Sequence, residues 1–207
     1  DHDAGTFDAT LAILSSPKPT TSRFYLMHRD GRVQDGLDDD QVNYDAPGQI
    51  LRGRKFYRHH GKQLSKQEYL RARDIADDQN RTVKGVQEAG STFSFEVQFE
   101  NMAPVELGAL LWSLEMEGWH HRIGMGKPLG FGSATIDVTK LELWDHAASY
   151  AEAKAHWDED EGLSREAKWI DRFKRAMADR YGASSFEKLA NVKDLRALLA
   201  SSPDLPV

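Results

Sequence analysis

The chain has 207 residues, 40% of them apolar, with 33 acidic side chains against 27 basic ones and a net charge of -6. That length supports one sizeable core or two small ones, and the absence of cysteine excludes disulfides and thiolate zinc sites, so an intracellular, cytoplasmic protein is expected. An acidic total argues against nonspecific attraction to polyanions, and no apolar run approaches the roughly 18 residues that a membrane span needs.

The first residues, "DHDAGTFD", lack the basic and apolar regions of a signal peptide, and the missing initiator Met predicts a fragment or a processed piece. "FDATLAIL", residues 7–14, reads as a strand ended by the breaker "SSPKPTT", and "RFYLMH" as a short second strand or ribbon. From Asp30 to Pro47 the chain is acidic, with Asp30, Asp35, Asp38, Asp39, Asp40 and Asp45 against Arg32 alone, which predicts a long solvated loop. After Pro47-Gly48 a helix is expected from Gln49, with Ile50, Leu51, Phe56 and Tyr57 near one side. The other side is basic: "LRGRKFYRHHGK" carries Arg52, Arg54, Lys55, Arg58 and Lys62 without an acid.

Residues 61–80 are polar and read as an insert. "RTVKGVQ", a turn at Glu88-Ala89-Gly90-Ser91, and "TFSFEVQFE" predict a hairpin whose second strand alternates Phe93, Phe95, Val97 and Phe99. Pro104 opens an amphipathic helix with Leu107, Leu110, Leu111 and Leu114 on one stripe, running to about Glu117. A glycine-rich stretch follows, and then the alternating strand "ATIDVTKLELW". Strand, helix, strand, strand, helix, strand is the order of a ferredoxin-like (RRM-like, βαββαβ) α+β fold. Beyond Asp145 two more helices are expected, one bearing Trp169, Phe173 and Met177, the other opened by Ser184-Ser185-Phe186-Glu187 with Phe186, Leu189, Val192, Leu195 and Leu199 as its apolar side.

The glycine-rich stretch "HRIGMGKPLGFGSATI", residues 121–136, holds Gly124, Gly126, Gly130 and Gly132 around Lys127. Glycines at positive φ let successive N–H groups converge on an anion, with Lys127 supplying charge. They serve equally well to bend a long loop onto a sheet. It is not a P-loop, because Pro128 follows the Lys where Ser or Thr is required, nor a dinucleotide fingerprint, because the third Gly is missing.

Together with the preceding "FSFEVQFENMAPVELGALLWSLEM", this stretch resembles the C-terminal half of the RAMP superfamily of CRISPR-associated proteins, marked by a Gly-rich loop before the last strand of a ferredoxin-like domain. "APGQILRGRKFYRHH" is similar to that family's Pro-Gly entry into its first helix, and the resemblance covers about residues 7–144. It implies a RAMP domain over residues 1–145, with insertions at about 15–47 and 61–80, and a helical appendage at 146–207. It implies a crRNA-binding scaffold domain of a type III effector, with guide RNA, the target RNA paired to it, and other RAMP subunits or domains as partners. By that resemblance the RNA backbone is held by Arg52, Arg54, Lys55, Arg58, Arg122, Gly124, Gly126, Lys127, Gly130 and Gly132. No catalytic residue, metal or cofactor is expected.

The residues give independent grounds for that surface. A basic run and a concavity of amides near one another would hold phosphates without reading bases, as a protein accepting any guide must. Phe56, Tyr57 and Phe131 read as core residues more readily than as base-stacking ones. The alternative is an endoribonuclease, cutting target RNA through Asp38, Asp39 or Asp40 or precursor crRNA through His28, His59, His60, His120 or His121. The acidic run lacks the Asp-x-Pro-Val-like context of cleaving relatives, and adjacent His side chains diverge on either a strand or a helix, so a scaffold is the reading carried forward.

Overall fold

The computed structural model describes residues 4–11, 22–31, 42–53, 56–59, 81–144, 146–152 and 157–200. Arg54, Lys55, His60, the acids Asp35 and Asp38 to Asp40, and the expected insert at 61–80 lie outside the described residues. The described elements are β1 (Thr6–Leu11), α1 (Ser22–Tyr25), β2 (Leu26–His28), β3 (Gln49–Leu51), β4 (Arg81–Gln87), α2 (Pro104–Glu115), β5 (His121–Arg122), β6 (Ser133–Ala134), β7 (Leu143–Trp144), α3 (His146–Glu152), β8 (Trp157–Asp158), α4 (Glu159–Arg180) and α5 (Ala190–Leu199). The protein is mixed α+β, its described strands pairing antiparallel as β1 with β4, β2 with β3, β5 with β6, and β7 with β8.

Helix α2 forms where the leucine stripe predicts it. Pro104 occupies its first turn, and the Glu106 carboxylate accepts the Ala103 N–H at 2.7 Å, which supplies an acceptor for an otherwise unpaired N-terminal amide. The helix carries two apolar clusters. Leu107 and Leu111 pack with Leu141, flanked by Phe99, Val138 and Trp169. One turn further on, Trp112 packs with Phe186, Leu189 and Val192, flanked by Phe173, Met177 and Leu195. The C-terminal helices therefore cover α2, and Trp169, Phe173 and Met177 spend their apolar surface inside the protein. Gly108 lets α4 approach closely, for a Cβ there would stand 2.1 Å from the Trp169 carbonyl oxygen.

Three expectations need correction. The basic helix expected from Gln49 is instead the strand β3, paired with β2 through Met27–Ile50 and extended by the Arg52 N–H donating to Tyr25 O at 2.8 Å. Arg52, Gly53 and residues 56–59 are not helical. Gly48 and Gly53, at φ of +83° and +122°, stand at either end of β3 and leave no room for a helical turn between them. Secondly, "RTVKGVQ" does not pair with "TFSFEVQFE". Its ladder runs to β1, with Thr10 and Thr82 hydroxyls at 2.9 Å and the Gly85 N–H donating to the Asp8 carboxylate at 3.0 Å beside a bulge. Residues 93–100 join no described ladder, and Phe93 and Phe95 stay 63% and 60% exposed. Alternation shows which side chains share a face, but a strand also needs a neighbour with free backbone groups. Finally, "ATIDVTKLELW" is ordered as a ladder only at its ends, β6 and β7.

Candidate functional site

The Gly-rich loop hangs from the two-residue ladder of β5 and β6, in which His121 opposes Ala134 and Arg122 opposes Ser133. The Ile123 N–H donates to Gly132 O at 2.8 Å and closes the neck. This closure requires glycine at 132: its φ is +82°, and a Cβ would stand 1.8 Å from the Ile123 carbonyl oxygen. Beyond the neck, residues 127–129 form a single 3-10 turn between Gly126 and Gly130, both left-handed. The Leu129 N–H donates to Gly126 O at 2.8 Å. Gly126 sits on the Phe131 ring, where a Cβ would come within 3.1 Å, so Phe131 props the loop from below.

Arg122 fixes this arrangement. Its Nε donates to Tyr57 O at 3.0 Å, Nη1 to Phe131 O at 2.9 Å and to Ser133 Oγ at 3.2 Å, and Nη2 to Arg58 O at 2.9 Å and to Lys127 O at 2.7 Å. A guanidinium has five N–H donors, and these five bonds use them all. Arg122 therefore staples the loop to residues 57–58, and none of its donors is left for a phosphate. Its charge remains, with no carboxylate paired to it among the described residues, and burial lowers its affinity for the proton.

Beneath the staple lies His59, 1% exposed, with Nδ1 2.8 Å from Ser133 Oγ and its ring centroid 5.5 Å from that of His120. Its Nε2 is buried and has no hydrogen-bond partner among the described residues. Burial first, and then the Arg122 charge, push the His59 pKa below 6.5, while the His120 backbone opposes them and the His120 and His121 charges add to them. His121 is committed elsewhere, its Nε2 2.6 Å from Leu114 O. His59 is shut off from the surface at which a general acid or base works, whereas half-buried His121 is held to a main-chain carbonyl.

The other basic residues divide. Arg58 donates through Nη2 to Ala197 O at 3.0 Å, tying the same segment to α5. Arg52 is exposed at the end of β3, and no hydrogen bond joins it to the loop among the described residues. Lys127 is half-buried, and its ammonium has no partner among the described residues. The amides of Gly124, Met125, Gly126 and Lys127 likewise donate to no described residue, so four consecutive N–H groups carry no hydrogen bond among the described residues. Gly124 and Gly126 supply the left-handed turns, φ +78° and +69°, that let successive amides converge.

Sequence reasoning missed Ser133 as the residue that bonds both Arg122 and His59, because residues 59 and 133 are distant in the chain and no spacing rule joins them. It also missed two clusters at the helical layer. The Glu117 carboxylate accepts from Lys174 Nζ and, at 2.7 Å, from Arg196 Nη2, whose guanidinium lies 4.6 Å from the Trp119 ring centre. Burial raises the Glu117 pKa, but these two cations outweigh it and hold the group below its usual range. Glu166 is pushed up to about 7, first by burial and then by the charge and hydrogen bond of Glu115. Among the described residues no three His, Asp or Glu side chains stand together to hold a metal ion, and no helix is long and apolar enough to cross a membrane. No protein-family model matches the chain, and no curated protein matches it significantly.

Proposed function

We propose that this chain is a ferredoxin-like, RAMP-type RNA-binding scaffold domain, holding the backbone of a guide RNA in a cytoplasmic type III CRISPR effector beside other RAMP subunits or domains. The observation that carries this reading is the run of four amides at residues 124–127 that donate to no described residue, in the loop that carries the Lys127 ammonium and that the Arg122 guanidinium fastens. Unbonded amides beside a basic residue suit a phosphate oxygen and ignore base identity. Within this reading the resemblance-derived contacts acquire different jobs. Gly124, Gly126 and Lys127 face the RNA, while Arg122, Arg58, Gly130 and Gly132 hold the loop in shape.

The test is salt-dependent RNA affinity. Lys127→Ala should weaken binding evenly across unrelated sequences and reduce the slope of log affinity against log salt by about one charge. An unchanged slope, or no RNA binding by the unaltered protein, would remove the loop as a phosphate site.

A further inference from the structure

We infer that Ile123 and Met125 form an apolar pair of lips that contacts nucleobases, so that the loop grips a base-bearing single strand and not merely a polyanion. This inference rests on the phosphate-binding reading above and adds a second kind of contact to it. Met125 is 74% exposed and Ile123 52% exposed. Gly124 lies between them in the chain, and apart from these two neighbours a Cβ added there would meet nothing within 4 Å. Two exposed apolar side chains thus adjoin, along the chain, a residue whose amide donates to no described residue and around which the rest of the protein leaves space.

The neighbourhood decides what fits that space. A protein partner needs roughly 800 Å² of contact on each side, far more than two side chains give. It would also seal off the amides at 124–127 and the Lys127 ammonium, at a cost for each polar group left unpaired. In a duplex the bases are stacked inward, so the lips would meet charged backbone. A single strand satisfies both kinds of group, its phosphate taking the amides and its unstacked bases covering the aliphatic surface. Phe131 does not fill this role, its ring being spent beneath Gly126.

The experiment measures binding of the 207-residue chain to three labelled probes: a single-stranded RNA, an abasic ribose-phosphate strand of equal length, and the matching duplex. The single strand should bind most tightly. The double variant Ile123→Thr/Met125→Ser should lose about fivefold on the base-bearing strand, the low end of base-stacking contributions, and be unchanged on the abasic strand. Equal affinity of the unaltered protein for the base-bearing and abasic strands would overturn the lips and leave the phosphate site standing, as would an equal loss on both from the double variant. Binding to none of the three probes would overturn both readings. Lys127→Ala, by contrast, should weaken the base-bearing and abasic strands alike, which separates the two kinds of contact.

Discussion

In the helical layer Trp112, Phe173 and Phe186 meet ring to ring, with centroids 5.0 to 5.9 Å apart, and α2 is shut in by α4 and α5. Around the Gly-rich loop, by contrast, one guanidinium gathers carbonyls from residues 57, 58, 127 and 131, while two aliphatic side chains stay exposed and four amides donate to no described residue. The first region is held by burial, which is nondirectional and spread over many atoms. The second is held by a few directional bonds, so a single substitution can undo its shape while leaving its surroundings folded. This division suits a protein in which one part must be rigid and another must present backbone groups to a ligand.

Substitutions on the two sides should separate cleanly. The largest effect is expected from Trp112→Ala, which removes the buried indole from the ring cluster and should cost about 3–5 kcal/mol in denaturant unfolding. If it cost no more than a surface change, the helical layer would not be the core. Gly132→Ala should come next, at roughly 2–4 kcal/mol, because the residue must keep a left-handed φ with its Cβ against the Ile123 carbonyl. Gly124→Ala, where the φ is similar but the space is open, should cost only about 1 kcal/mol. Equal costs at the two glycines would refute the close crossing at the neck.

Arg122→Lys sharpens the comparison from the other side. Three donors cannot replace five, so about 1–2 kcal/mol should be lost, and hydrogen exchange at the Ile123 and Leu129 amides should quicken while the amides of α2 stay protected. Exchange that quickened everywhere would mean that the staple supports the whole fold. The smallest effects concern protons. His59 holds its proton less firmly when folded, so its contribution to stability is complete above pH 6.5 and is lost as pH falls below that value. Glu166 runs the opposite way: its folded pKa of about 7 exceeds the ordinary 4.5, so stability declines as pH rises between these values. After allowance for solvent screening, Glu166→Gln should stabilise the protein by about 1 kcal/mol at pH 8. It should flatten that part of the pH profile, and a profile that keeps its slope would exonerate Glu166.

The leucine spacing from Leu107 to Leu114 located α2, and the four-residue spacing of Trp169, Phe173 and Met177 located α4, because helical periodicity is a local property that burial then uses. The glycines at 124, 126, 130 and 132 marked the loop for the same reason, their backbone freedom being written in residue type alone. What the chain order did not contain was pairing. Which strand β4 would join, that Gln49–Leu51 would add to β2, and that Arg122 would turn inward to the carbonyls of Tyr57 and Arg58 all depend on backbone groups distant along the chain. A charged residue type announces charge, but its partner is chosen by whichever unpaired acceptors folding brings within 3 Å or so. Tertiary structure thus turned the Arg122 donors onto the loop's own neighbours, and left the amides of residues 124–127 without a hydrogen bond among the described residues.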